Sequence, residues 1–238
     1  MSSLPNPGST EKTLNRRTDR SIEDREVMYE ILDESLVCHV GFVDENNQPF
    51  VLPMGFARYE DSLLLHGSTG SRLMRRIGSG IPICIEVTLL DGLVLAKSSF
   101  ESSMNYRSVV IFGKGEIVEG EQKDFLLNKL TDHLAPGRSS EIRNSTKKEL
   151  AATLLVSVAL IETSVKIRTG PPKEAESDLD SQVWSGLVPF RLVAQNPIPS
   201  DEISKNLNLP KSVNQLKQIY NRQYYQICKL YIYIFHLL

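Results

Sequence analysis

Cysteine is scarce in this sequence, and its spacing excludes two common uses of the residue. Only three cysteines occur among 238 residues, at Cys38, Cys84 and Cys228, and no two of them form a Cys-x-x-Cys pair. A disulfide framework needs an even set of cysteines, and a structural zinc site needs paired ligands. We therefore expect neither, and the odd, dispersed set favours a reducing compartment such as the cytoplasm.

Long apolar runs and an excess of one charge are also missing. The formal net charge is −2, so no overall positive field attracts nucleic acid or an acidic membrane surface. No run approaches the roughly 20 apolar residues that span a bilayer. Residues 1–20 are polar and lack the apolar centre of a signal peptide, so we interpret them as a disordered segment. These absences predict a soluble cytoplasmic protein that binds neither nucleic acid nor membrane.

The motifs of several large enzyme classes are absent from the sequence. It contains no G-x-S-x-G of the hydrolases, no P-loop and no dinucleotide-binding G-x-G-x-x-G. None of the histidines His39, His66, His133 and His236 has a second ligand at metal-binding spacing. We therefore expect no protein-built metal site, which leaves functions that rely on a bound organic cofactor or on a binding surface.

The hydrophobic pattern of the first third predicts one helix followed by several strands. Ser21 and Asp24 resemble a capping box, and apolar residues at helical spacing follow, so a helix is predicted over 22–34. Three strands joined by hairpin turns are predicted within residues 35–68. A short basic helix is predicted over 70–79.

The middle of the chain continues this strand-rich pattern. Asp91-Gly92 is a strong turn dipeptide and predicts that residues 81–99 form two strands. Residues 106–120 predict a long strand, apolar on both faces and therefore central in its sheet. Helical spacing returns over 121–134, and one or two final strands are predicted within 154–170.

Many closely spaced strands with few helices predict a mainly β fold, a closed β-barrel with peripheral helices. One domain over residues 21–200 accounts for the whole pattern. Residues 201–238 form an atypical tail whose last part is rich in Tyr, Asn, Gln, Ile and Lys. Two interpretations of the tail stay open, a non-coding or lineage-specific extension and an amphipathic helix that docks on the domain.

Residues 63–78 change from an apolar strand into a Gly/Ser turn and then into a basic helix. Such a turn lets backbone N–H groups approach an anion, and the helix start adds unsatisfied N–H groups and a positive dipole end. Ser68, Thr69 and Ser71 offer hydroxyl groups, and Arg72 offers a forked cation that suits phosphate oxygens. From the residues alone, two readings remain, a phosphate site and an ordinary capped surface helix with solvated arginines.

Four segments occur in an order typical of one known family. They are PFVLPMGF at 49–56, LLLHG at 63–67 with GSR at 70–72, YRSVVIFGK at 106–114, and WSGLVP at 184–189. Over about residues 22–190 the chain resembles the pyridoxamine 5′-phosphate oxidase superfamily of FMN-binding split barrels, and within it the nitroimidazole-resistance and flavin-nucleotide-binding branch. The resemblance implies a six-stranded Greek-key split barrel and a homodimer that binds FMN at the subunit interface.

The resemblance also implies which residues hold the FMN. They are Val51, Leu52, Pro53, Met54, His66, Gly67, Ser68, Ser71, Arg72, Ser108 and Trp184. In the oxidases a Ser-Arg-Lys triplet grips the phosphate, and here Ser71 and Arg72 are followed by Leu73. One cation is therefore missing, and the resemblance leaves Arg75 or Arg76 to replace it.

Three implied residues bear on the reaction. Ser108 stands where the family has a glutamine that reaches the flavin, and Trp184 matches a tryptophan that closes over the cofactor from the partner subunit. His66 would face the ligand and could donate a proton to a small acceptor at neutral pH. Its alternative role is a strand-end histidine bonded to a backbone carbonyl.

One departure from the family bears on the substrate. The oxidases follow the tryptophan with an Arg-x-His pair that holds the vitamin, whereas Arg191 is followed here by Leu192 and Val193. We therefore do not expect pyridoxamine phosphate oxidation. The sequence favours an FMN-dependent oxidoreductase that acts on an unknown small acceptor, and the alternative is an FMN-binding or interaction protein without turnover.

Overall fold

Strands dominate residues 4–221, the part of the chain that the computed structural model describes. The strands are β1 (Ser21–Ile22), β2 (Val37–Val43), β3 (Pro49–Tyr59), β4 (Ser62–Ser68), β5 (Pro82–Leu95), β6 (Ser103–Lys114), β7 (Glu116–Ile117), β8 (Thr153–Ala159), β9 (Glu162–Arg168) and β10 (Gly186–Pro189). The helices are α1 (Arg25–Glu34), α2 (Arg72–Gly78), α3 (Gln122–Leu134), α4 (Lys147–Ala152) and α5 (Glu202–Lys205), and residues 211–221 are also helical.

The strands form an antiparallel sheet that curls around one core. Their order is β1-β9-β6-β5-β2-β3-β4-β8-β7, and β10 pairs with β5. The sheet turns at β3, which pairs with β2 over its first seven residues and with β4 over its last four. On the far side β6 approaches β8, since a Cβ added at Gly113 would lie 2.9 Å from Cγ1 of Val158. This confirms the mainly β fold with peripheral helices, although seven long and three short strands are described where six were predicted.

Alternation along the strands separates the core from the outer face of the sheet. Cys38 and Val40 of β2 point inward and are fully buried, whereas His39 between them points outward. Helix α1 closes one end of the core with Met28 and Ile31. Burying an aliphatic side chain of this size contributes about 1.5–3 kcal/mol, so this inward row is a main source of stability.

The start of the first helix differs from the prediction. Ser21 does not cap a helix, because it lies opposite Lys166 in the short strand β1. Helix α1 begins three residues later than predicted, at Arg25, and Asp24 is its N-cap, with Oδ1 accepting from the backbone N–H of Glu26 at 2.9 Å. The prediction was wrong because the pairing of β1 with β9, far along the chain, competes with local helix signals.

Asp91-Gly92 does not form the predicted turn. The strand runs unbroken from Pro82 to Leu95, and the dipeptide produces only a shift of register against β6. Arg107 on β6 donates two hydrogen bonds to the Asp91 carboxylate and two to that of Glu34. These ion pairs hold the shifted residue within the sheet, so one bulged strand replaces two separate strands.

Other predicted elements are confirmed. The three strands of residues 35–68, the basic helix α2 and the helix α3 occur where they were expected, and β6 is an inner strand between β5 and β9. The short helix α4 was not predicted; it is nucleated by a capping box of Thr146 and Glu149.

Segments before and after the predicted domain of residues 21–200 contact it. Residues 1–20 were predicted to be disordered, but Gly8 donates its N–H to the carbonyl of Thr163 at 2.7 Å and the amide of Asn15 accepts from Ser164. In the tail, Ser212 donates to the carboxylate of Glu141 through its backbone and its hydroxyl. The domain boundaries at residues 20 and 200 stay predictions, and residues 222–238, with Cys228 and His236, lie outside the described part.

Candidate functional site

The predicted phosphate turn connects the end of β4 to α2 and lies beside the start of β3. The guanidinium of Arg72 lies over the ring of Phe50, 5.8 Å from its centroid. Helix α2 can pack this closely because residue 67 is glycine, since a Cβ there would lie 2.7 Å from Cγ of Met74. The fold therefore brings Phe50, at the start of β3, beside Arg72 at the start of α2.

Hydrogen bonds within the turn use several of its donors. The N–H groups of Thr69, Gly70 and Ser71 bind the carbonyl of Ala152, the hydroxyl of Ser68 and the carbonyl of Ser68, respectively. The hydroxyl of Ser71 caps α2 by accepting from the N–H of Met74. These N–H groups are therefore not open to an anion.

Other groups at the start of α2 remain available to an anion. The first two residues of α2 have no intrahelical acceptor for their N–H groups. The turn also offers the hydroxyl hydrogen of Ser71 and the exposed guanidinium of Arg72. The site thus resembles a cationic hydroxyl-and-guanidinium clamp more than the backbone cradle that the sequence suggested.

The two arginines that follow Arg72 on α2, Arg75 and Arg76, have different surroundings. Arg76 donates to Oε1 of Glu45 at 2.7 Å, so its charge is already paired. Arg75 is exposed and lies one helical turn after Arg72, on the same face of α2. Arg75 is therefore the better second cation.

An apolar strip lies next to the cationic turn. Val51 is 67% exposed on β3 and shares the outer face of the sheet with Pro53, whereas Leu52, 38% exposed, lies on the opposite face of the strand. Pro53 is also exposed, and Met54 packs partly against the core. A flat aromatic ligand would gain about 25 cal/mol for each Å² of such surface that it covers.

The three described histidines have different surroundings. Nε2 of His133 lies 2.7 Å from the carbonyl of Ser35, and its ring packs against Phe56. Nδ1 of His39 faces a carboxylate oxygen of Glu86 at 3.6 Å on the outer face of the sheet. No side-chain hydrogen bond of His66 is found within residues 4–221, so the alternative role of a histidine bonded to a backbone carbonyl finds no support.

His66 lies near the end of β4, just before the turn that leads to α2. It is the last but two residue of β4, and its side chain points to the opposite face of the strand from the position at Gly67 that meets Met74 of α2. Desolvation by the surrounding protein lowers the pKa of His66 below its usual value, although part of the ring stays exposed. At neutral pH the imidazole is therefore uncharged, with a lone pair available to a ligand.

Two predicted residues lie away from this neighbourhood within one chain. Ser108 is buried on β6, three strands from β3 and so about 14 Å across the sheet. Trp184, just before β10, is 66% exposed, so it is not the core aromatic that a lone tryptophan commonly is. Within one subunit, the turn and the strip lie together, whereas Ser108 and Trp184 lie elsewhere. Either of these two residues would have to contact the same ligand from another direction.

Two further classes of site find no support in residues 4–221. No group of three or more His, Cys, Asp and Glu side chains is arranged to hold a metal ion. No helix of that range is long and apolar enough to cross a membrane.

Comparison with solved structures gives two close relatives. A protein of Mycobacterium smegmatis described as an FAD and heme binding protein is 38% identical, with a TM-score of 0.80 over 82% of this chain and 96% of that one. The flavocytochrome Anf3 of Azotobacter vinelandii is 33% identical, with a TM-score of 0.81 over 89% of this chain and 98% of that one.

A third structure shares the fold at lower identity. It is described as a candidate 5-nitroimidazole antibiotic resistance protein of Bacteroides thetaiotaomicron, and it is 24% identical, with a TM-score of 0.51 over 62% of this chain and 86% of that one. No curated protein sequence matches the chain.

A family model settles the classification of the chain. The model of the pyridoxamine 5′-phosphate oxidase family matches residues 24–167, which span the barrel from α1 to β9. The match, the strand order and the two relatives agree with the resemblance found in the sequence. The chain belongs to the pyridoxamine 5′-phosphate oxidase-like family of split-barrel proteins.

Proposed function

We propose that this protein is a flavin-binding redox protein. The observation that carries the proposal is the exposed apolar strip of β3 beside the cationic start of α2, in a chain whose two relatives are described as a FAD and heme binding protein and a flavocytochrome. The residues fit a flavin, because the strip suits an isoalloxazine ring and Ser71 and Arg72 suit its phosphate. A bound flavin supplies the hydride and electron transfer, and the protein supplies position and charge.

The identity of the flavin is the next choice. The sequence predicted FMN, and the clamp at Arg72 would serve the phosphate that FMN and FAD share. The description of the 38% identical relative names FAD, which favours the dinucleotide for this chain. Chromatography of the cofactor released by heating the purified protein tests this: we expect FAD, and a colourless protein would refute the flavin proposal itself.

Haem is the second cofactor that the relatives suggest. Of the described histidines, His133 is already bonded through Nε2, whereas His66 and His39, whose Nδ1 faces Glu86, each keep a ring nitrogen that could hold the iron; we propose His66 as the ligand to test. The lowered pKa of His66 would keep a ring nitrogen deprotonated at neutral pH, as binding to iron would require. A haem ligand cannot also be the proton donor predicted for His66, so loss of the Soret band in His66→Ala would favour ligation over acid catalysis.

We further propose a homodimer with the flavin at the subunit interface. One chain leaves Val51 and Trp184 about two-thirds exposed, and Ser108 lies far from the strip. A second, isologously placed subunit would cover these residues and could bring its Trp184 over the ring. Light scattering of the flavin-loaded protein should give a dimer, and Trp184→Ala should change flavin fluorescence; a flavin-loaded monomer would contradict the arrangement.

Turnover separates the two candidate functions. Anaerobic reduction by NADH or NADPH, followed by reoxidation with nitroaromatics and quinones, is expected for an oxidoreductase that acts on a small acceptor. A protein that holds flavin without exchanging electrons would instead be a binding or interaction protein. Aerobic formation of pyridoxal phosphate should be negligible, because Arg191 is not followed by the family histidine.

A further inference from the structure

Three half-buried cations meet at the end of β9, away from the turn at Arg72. They are Arg20, which ends a short 3-10 helix, and Lys166 and Arg168 on β9. Lys166 lies opposite Ser21, the residue after Arg20, and its neighbour on the other side is Ser108 of β6. Since Lys166 and Arg168 alternate with the inward Val165 and Ile167, both point to the outer face of the sheet.

None of these three cations is paired with a carboxylate of residues 4–221. Arg168 donates only to neutral oxygens, the amide oxygen of Asn105 and the carbonyl of Gly170. Most other arginines of that range do form ion pairs, namely Arg17, Arg25, Arg58, Arg76, Arg107, Arg138 and Arg143. Unpaired cations are common on an exposed surface, but a group of half-buried, unpaired cations lowers the stability of the fold.

The charge environment of Arg168 agrees with this geometry. Burial lowers the pKa of Arg168, and the nearby charge of Arg20 lowers it further. Arg107 lies on the adjoining strand β6, opposite Ile167, and its pKa is instead raised by its carboxylate partners Glu34 and Asp91. An anion between Arg20 and Arg168 would relieve their repulsion and supply the missing acceptor.

We propose that Arg20, Lys166 and Arg168 form an anion site that takes a phosphate group. The site lies on the outer sheet face, where the buried Ser108 and the half-buried Tyr106 of β6 are the neighbours of Lys166 and Arg168. The phosphate can come from the dinucleotide part of FAD, a choice that rests on the proposed function, or from a separate phosphorylated molecule. The phosphate chemistry is the same in both cases, and the test distinguishes the sources.

The test compares two double variants with equal loss of charge. Lys166→Gln with Arg168→Gln removes the site but keeps an amide donor for Asn105, and Lys147→Gln with Lys148→Gln is the control on the exposed helix α4. Inorganic pyrophosphate should raise the melting temperature of the wild type and of the control. In the site variant its affinity should fall about tenfold or more, because hydrogen bonds to charged groups are lost.

The flavins identify the source of the phosphate. If FAD also binds about tenfold more weakly to the site variant while FMN does not, the site holds the second phosphate of the dinucleotide. If both flavins bind as before and only pyrophosphate is lost, the site serves a separate phosphorylated ligand. Equal pyrophosphate binding in all three proteins, or none in the wild type, overturns the proposal.

Folding of the variant is checked independently. If the three cations repel one another when no anion is bound, the site variant without ligand should melt no lower than the wild type, because its substitutions remove that repulsion. If the double variant melts lower, Arg20→Gln, which lies outside the barrel strands, replaces it and must weaken pyrophosphate binding in the same way. Pyrophosphate binding without any bound flavin would support the anion site even if the proposed flavin function failed.

Discussion

Adding one methyl group at Gly92 tests how the segment that carries Trp184 is held. A Cβ at this buried position would lie 2.7 Å from the carbonyl oxygen of Val188, 2.9 Å from Cα of Pro189 and 3.3 Å from the carbonyl carbon of Val188. All three atoms are backbone, so no side chain can rotate away. Overpacking of this kind costs about 1–3 kcal/mol.

That free-energy cost is similar to the stabilisation that the short strand β10 gains from its hydrogen bonds with β5. β10 has only four residues in register with β5, and a hydrogen bond contributes about 0.5–1.5 kcal/mol net. We therefore expect Gly92→Ala to release β10 locally while the barrel stays folded. The mutant should lose flavin affinity only as far as Trp184 contributes to the site.

The single tryptophan makes this release measurable. The fluorescence anisotropy of Trp184 should fall in Gly92→Ala, and proteolysis within residues 170–190 should become faster, with thermal unfolding of the barrel nearly unchanged. Gly55→Ala on β3 is the control, since an added Cβ there meets no atom within 4 Å. Unchanged anisotropy and proteolysis in Gly92→Ala would refute the steric reasoning.

Four further predictions can each be checked by one measurement. Arg72→Ala should weaken flavin binding about ten- to hundredfold in equilibrium dialysis, while riboflavin, which lacks the phosphate, binds both proteins equally. Gly115→Ala should lower the free energy of unfolding by about 1–3 kcal/mol in urea, because its Cβ would lie 2.6 Å from the carbonyl oxygen of Ile77. Cys38 should resist alkylation in the native state, since burial raises the pKa of its thiol to about 12. His66 binds a proton less readily folded than unfolded, so stability present above about pH 6.5 should fall as the pH drops, and less so in His66→Gln.

The candidate site was predictable to the extent that its signals are local. The strand at β3, the Gly/Ser turn and the basic helix after it have signals within a few positions of one another, and they appear in the structure where they were predicted. The availability of donors was not predictable, because the N–H of Thr69 is taken by Ala152, 83 residues away. The cluster of Arg20 and Arg168 was missed for the same reason.

The sequence by itself determined the elements and the family, because period, caps and turn residues act over a few positions. Tertiary structure decided at which positions contacts between distant residues replaced those local preferences. Asp91 stays within one strand because Arg107, 16 residues on, binds its carboxylate, and Ser21 joins a strand because Lys166 lies beside it. Pairings between distant residues depend on the closed sheet as a whole, so the bulge, the late start of α1 and the meeting of unpaired cations arise only when the chain folds.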